Sequence, residues 1–179
     1  MFHVKHESKT YVDAVRAWDK VHRIVGKEDP ARLYKQSKES LSSALKAYPL
    51  SPTLVDIGAG SGMMAWAWLE LSPNHKAILV EPKKKSQAFL LNYITGVCPE
   101  LAPRVMVIGA LFDDVSRETV AKFAPEGFFC VARAFSGTDS LETVIARSEF
   151  SKDPCYVFSA DIAQSGKQKY SLNVLSQRS

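Results

Sequence analysis

Residues 53–62 read Thr-Leu-Val-Asp-Ile-Gly-Ala-Gly-Ser-Gly, and the fold follows from them. Leu54, Val55 and Ile57 form a short apolar run suited to a buried parallel strand. The run stops at Gly58-Ala59-Gly60-Ser61-Gly62, whose backbone can approach a ligand without side chains in the way. Met63 to Leu69 then predicts a helix apolar on most faces, bounded by Ser72-Pro73. Strand, glycine loop and helix N-terminus together make the geometry that holds a nucleotide-like ligand at the carboxyl end of a sheet.

The glycine spacing narrows the ligand. A dinucleotide fingerprint needs a third small residue where this chain has Met63. The pattern present is Asp56, Gly58, Gly60, Gly62, which resembles motif I of the class I S-adenosylmethionine-dependent methyltransferases. A second strand, residues 77–80, ends in Glu81, an acid placed to accept hydrogen bonds from ribose hydroxyls. The resemblance implies S-adenosyl-L-methionine as cofactor. Gly58, Gly60 and Gly62 would lie against its amino-acid end, Glu81 at the ribose and Ala110-Leu111 beside the adenine. Asp56, Ala59, Pro82 and Arg133 complete the expected cofactor set.

At 179 residues the chain is expected to be one domain: a basic helical segment over 1–50 and a cofactor-binding sheet over 51–179. No signal peptide and no membrane-spanning run is legible, so a cytoplasmic location and no membrane partner are expected. Cys98, Cys130 and Cys155 are scattered and odd in number, which argues for free thiols; no metal site is expected. Residues 1–50 hold ten Lys/Arg against six Asp/Glu, and the rest of the chain holds thirteen of each. The whole excess of +4 therefore lies in the N-terminal segment, as suits a surface facing phosphates. Lys20, Arg23 and Lys27, with Lys83, Lys84 and Lys85, are the expected substrate-binding cations.

Tyr11, Val15, Trp18, Val21/His22 and Val25 recur at helical spacing over 9–25, with Gly26 as the stop. Asp29-Pro30 opens a second helix to about Tyr48, with Leu33, Tyr34, Leu41, Ala44, Leu45 and Tyr48 inward. After Glu81 a helix carries residues 88–97, followed by a strand over 104–108 and a helix over 115–123. Further strands are expected at 128–132, 156–158 and around Leu172 and Val174, with a helix over 139–148. Strands alternating with helices predict an α/β, doubly wound, mostly parallel Rossmann-like sheet. The short polar turn 164–167 leaves no room for a crossover, so the last strand is expected to be antiparallel.

Val-Asp-Ile-Gly-Ala-Gly-Ser-Gly (55–62), Leu-Val-Glu-Pro-Lys-Lys-Lys (79–85) with Phe89-Leu90, and Ala-Arg-Ala-Phe (132–135) stand in the order of the RsmG/GidB family, which the chain resembles over roughly 15–160. The resemblance implies methylation of nitrogen-7 of a guanine in small-subunit (16S) ribosomal RNA, with ribosomal RNA or the small subunit as partner; the protein is expected to be a monomer. The chain departs from the family pattern at Lys35–Leu41, Met64-Ala65 and Ser159-Ala160, and its C-terminus is shorter. Nitrogen-7 carries a lone pair and no proton, so the transfer needs alignment and no general base. Arg133, ending the fourth strand, is the expected catalytic residue, contacting the guanine edge or a phosphate. Arg-Ala-Phe-Ser stands where adenine amino-methyltransferases carry Asn/Asp-Pro-Pro-Tyr/Phe, and no cysteine is placed for attack on cytosine. The alternatives are a non-catalytic S-adenosylmethionine-binding module docking on RNA or protein, and a methyltransferase for another substrate.

Overall fold

Helix and strand alternate through the computed structural model, which describes residues 5–25, 28–133, 140–162 and 168–176. For 5–9, 158–162, 168–174 and 176 it describes the backbone alone. Helices α1 (Lys5–His22) and α2 (Pro30–Ala47) precede β1 (Thr53–Ile57), α3 (Met63–Leu71), β2 (Lys76–Val80), α4 (Lys84–Asn92) and β3 (Val105–Ile108). Then come α5 (Arg117–Phe123), β4 (Phe128–Ala132), α6 (Leu141–Arg147), β5 (Cys155–Ile162) and β6 (Gln168–Ser176). The strands form one sheet in the order β3-β2-β1-β4-β5-β6. The first five are parallel and β6 runs antiparallel to β5, as the shortness of the connecting turn requires. The turn itself, 164–167, lies outside the described residues, as do Gly26, Lys27 and Ala134-Phe135.

Alternate strand residues serve two cores. Leu54, Ala77, Leu79, Phe129 and Val131 pack with Leu33, Leu41, Met64, Trp66, Trp68 and Leu90 from α2, α3 and α4. Val55, Ile57, Ile78, Val80, Cys130 and Ala132 pack with Val120, Val144, Ile145 and Phe150 on the opposite side. Every residue of β1 and β4 is buried; β4 reads as a continuous apolar run, and β1 departs from one only at Thr53 and Asp56. Among the described residues no helix is long and apolar enough to cross a membrane.

Asp29 caps α2 as expected, accepting from the Arg32 amide at 3.3 Å, and also ties α2 to α1 through Arg16 at 2.8 Å. That cation holds the Asp29 carboxyl below its usual range. On α1 the spacing leaves Val21 and His22 as alternatives for the stripe. The helix ends at His22, Arg23 turns the chain at φ +50°, and Val21, off the face that carries Tyr11, Val15 and Trp18, is 75% exposed. His22 takes the inward place beside Trp18, with ring centroids 4.7 Å apart. Leu45 also faces outward, because the inward line of α2 runs Leu33, Ser37, Leu41, Ala44. Beyond Asn92 the expected helix widens into a π-helical turn, Tyr93–Val97, which swings Val97 to the surface.

Candidate functional site

The strand order reverses at β1, flanked by β2 on one side and β4 on the other, and ligands of such sheets sit outside the carboxyl ends of the strands at that point. Ile57 pairs with Val80 and with Ala132, so Gly58, Glu81 and Arg133 leave the sheet side by side. The glycine loop turns back over β2: the amides of Gly58 and Ala59 donate to the Val80 carbonyl at 2.9 and 3.1 Å. Glu81 is buried, and its two oxygens accept from the amides of Gly60 and Lys83, each at 2.7 Å. The carboxylate thereby fastens the first loop to the second, and each oxygen keeps a second lone pair for another donor.

The glycines divide by role. All three have positive φ: +68°, +58° and +80°. A side chain on Gly58 would meet nothing within 4 Å, and one on Gly60 only the Gly58 carbonyl at 4.0 Å. These two face open space, the cradle that a ligand needs. A Cβ on Gly62 would lie 2.5 Å from Trp66 Nε1 and 2.8 Å from Leu79 Cδ2, so this glycine is taken up by packing α3 against the sheet. It supplies the close helix–strand contact for which the dinucleotide spacing, with Met63, offered no residue.

The loop amides decide what the cradle suits. Those of Gly58, Ala59, Gly60 and Gly62 donate to the Val80 carbonyl, the same carbonyl, Glu81 and the Ala59 carbonyl. A pyrophosphate is held by loop amides that point at it, and these point inward. The Glu81 carboxylate, bonded to the Gly60 amide, puts acceptor oxygens at the cradle in place of those donors.

Asp56 is 2% exposed and accepts from the Ala65 amide at 3.3 Å, serving the first turn of α3, which has no side-chain cap. Burial raises its carboxyl to about 7, against the opposing pull of that hydrogen bond and of Arg133. A carboxyl raised in the fold binds its proton more tightly there than in the unfolded chain, so the fold is favoured while the group is protonated. That advantage is complete below about pH 4, the range of an unfolded aspartate, and is lost as pH rises through about 7. Asp56→Asn keeps an acceptor for Ala65 and removes the titration. Its Tm is therefore expected to gain on the wild type between pH 5 and 8; melting profiles that run parallel over that window would contradict it.

Arg133 is half-buried at the end of β4, its Nη1 donating to Met63 Sδ at 3.2 Å. Its charge reaches both Asp56 and Tyr11. Ala110 packs at the edge of the second core, while Leu111 is 56% exposed, an apolar surface at the mouth of the loop after β3. Pro82 and Lys83, Lys84 and Lys85 are exposed at the start of α4. Lys20 and Arg23 are exposed at the end of α1, and Trp18 packs edge-on to Phe89 of α4 at 5.7 Å. The two cationic clusters thus ride on neighbouring helices. Among the described residues none of these five cations has an ion pair, whereas Arg16 and Lys38 are paired with Asp29 and Glu70.

The fold is that of the Rossmann-like methyltransferases. The glycopeptide N-methyltransferase MtfA, solved with S-adenosyl-L-methionine, superposes with a TM-score of 0.53 at 12% identity, over 78% of this chain and 66% of that one. A putative caffeoyl-CoA O-methyltransferase from Staphylococcus aureus gives 0.58 at 8% identity, over 82% and 65%. No protein-family model matches the chain. Two curated relatives are each named ribosomal RNA small subunit methyltransferase G. That of Salinispora arenicola is 26% identical over 121 residues, 68% of this chain and 49% of the relative. That of Helicobacter pylori is 32% identical over 89 residues, 50% of this chain and 49% of the relative. The chain thus spans about half the length of the curated relatives it matches.

Three side chains at the site escaped the sequence reading. Gln87 donates to the Glu81 carbonyl at 2.7 Å and lies where a Cβ on Gly109 would clash at 2.9 Å, so it props the second loop against the third. Ser61 and Tyr11 form the third loop contact, with the Tyr11 hydroxyl donating to the Ser61 carbonyl at 2.9 Å. No spacing rule announces a polar atom on an apolar stripe. The thiols of Cys130 and Cys155 are pushed up by burial, the latter to about 12, which leaves no cysteine nucleophile beside β4.

Proposed function

We propose that the chain is an S-adenosyl-L-methionine-dependent methyltransferase acting on nitrogen-7 of a guanine in small-subunit ribosomal RNA. The observation that carries the cofactor reading is the bond from the Gly60 amide to Glu81, which joins two loops around an open cradle. When bound, the cofactor supplies a methyl carbon on a positively charged sulfur, which the nitrogen-7 lone pair displaces in line.

No proton is removed, so no general base is needed. His75 fits that economy: it stacks on Trp68 at 3.7 Å, before β2 and away from the cradle. What the protein contributes is alignment. Glu81 would hold the ribose by its remaining lone pairs, Leu111 and Ala110 would cover the adenine, and Asp56 would brace the first turn of α3 behind the glycine loop. Arg133, across the switch point, would meet the guanine edge or a flanking phosphate. The names of the curated relatives support ribosomal RNA as the substrate class.

Arg133→Ala tests the substrate contact. Its melting temperature and cofactor affinity are expected to stay near normal, while methyl transfer falls at least about tenfold, the loss of one good contact. Full activity, or collapse of the fold, would return Arg133 to the scaffold.

The cationic face formed by Lys20, Arg23, Lys83, Lys84 and Lys85, with Lys27 beside it in sequence, is assigned to the RNA backbone. Combining Lys20→Ala, Arg23→Gly and Lys27→Ala is expected to reduce the slope of log affinity against log salt by about 2, at roughly 0.7–0.9 per lost phosphate contact. Glycine is chosen at 23 because it suits the positive φ there. An unchanged slope in a filter-binding titration would make these charges a solvated face only.

A further inference from the structure

The ring of Tyr11 needs no special explanation. It is 1% exposed and packs with Tyr34, Tyr93 and Trp66 at centroid distances of 5.0, 5.5 and 6.1 Å. A phenylalanine would fill that place. The hydroxyl is different: it leaves the aromatic cluster and reaches the middle of the glycine loop. It donates to the Ser61 carbonyl at 2.9 Å and lies 3.2 Å from Ser61 Oγ.

That carbonyl accepts a second bond from Trp66 Nε1, also at 2.9 Å, so both its lone pairs are used by side-chain donors. The N–H of the same peptide, on Gly62, donates to the Ala59 carbonyl at 2.7 Å. Three hydrogen bonds therefore fix the plane of the 61–62 peptide. It lies between Gly60, which faces the cradle, and Gly62, which is locked under α3. Both glycines are in the left-handed region, where neither backbone has a strong preference of its own, so the donors set the orientation. Trp66 belongs to the helix into which the loop runs and moves with it. Tyr11 comes from fifty residues upstream, on the helix that carries Lys20 and leads into Arg23.

We propose that Tyr11 is a positioning residue for the cofactor loop, and that it makes docking of α1 and binding of the cofactor a single linked equilibrium. The inference rests on the cofactor site proposed above. A ligand that needs the loop in this orientation favours the state in which α1 is docked, and by linkage anything that favours docked α1 strengthens the ligand by the same factor. The same helix carries Lys20 and leads into Arg23, both of the face assigned to the RNA backbone, so a polyanion that engages them would prime the cradle.

The test is Tyr11→Phe, which keeps the ring and removes the hydroxyl. S-adenosylhomocysteine affinity is measured by calorimetry, and amide exchange across residues 11–22 is followed with and without that ligand. In the wild type the ligand is expected to slow exchange in α1. In Tyr11→Phe that slowing should be largely lost and affinity should fall about fivefold, the weight of one neutral hydrogen bond. The melting temperature without ligand should stay close to wild type. A variant that binds as tightly as wild type and protects α1 equally would reduce Tyr11 to a packing residue and overturn the inference alone. Wild type that fails to bind S-adenosylhomocysteine would overturn the cofactor reading and this inference with it.

Discussion

Gly60→Val is expected to abolish S-adenosylhomocysteine binding, with affinity falling at least about a hundredfold in calorimetry. Two effects add. The φ of +58° at this position suits glycine; an ordinary L-residue there costs about 1–2 kcal/mol, and a β-branched one is a conformational outlier. The side chain would also project into the open space above the loop, where nothing but the Gly58 carbonyl comes within 4 Å. Strain shifts the loop and the isopropyl group fills the cradle, and either acts directly on the ligand. The sheet below is untouched, because Gly60 contributes no core contact and its amide still has Glu81 as acceptor. A folded variant with unchanged affinity would remove the cradle from the ligand site.

Gly62→Ala, two residues on, is expected to do the opposite and damage the fold. Its added methyl would sit 2.5 Å from Trp66 Nε1, 2.8 Å from Leu79 Cδ2 and 3.0 Å from Leu90 Cδ2. Overpacking of that kind costs about 1–3 kcal/mol, and the φ of +80° adds about 1–2 kcal/mol of strain. The sum, about 2–5 kcal/mol, corresponds to a drop in Tm of roughly 10 °C for a chain of this size. An unchanged melting temperature would show that α3 can slide away from β2, and the division of labour among the glycines would fail.

That division shows where the sequence is legible and where it stops. Strand β1 and its loop were readable because a strand buried on both faces is mostly apolar, with Asp56 as its marked exception, and a loop at its end must be free of side chains. The antiparallel β6 followed from the shortness of a turn. The sequence could not separate Gly60 from Gly62, since both are small for reasons that differ only in three dimensions. The choice between Val21 and His22 stayed open for a similar reason: the spacing admits both, and only the packing beside Trp18 puts His22 inward. The acid Glu81 was placed correctly at the second strand end, yet its bond to Gly60 joins residues far apart in sequence. Tyr11 was legible as a core ring and silent as a hydroxyl.

Purified protein is incubated with methyl-labelled S-adenosyl-L-methionine and small ribosomal subunits, or their RNA, from cells that lack the protein. The expected result is label on a single guanine, released as 7-methylguanine on hydrolysis, and absent with subunits from cells that contain the protein. S-adenosylhomocysteine binding without any incorporation into RNA would leave a ligand-binding module, and label in another molecule or at another atom would move the chain to a different methyltransferase class; either would contradict the account.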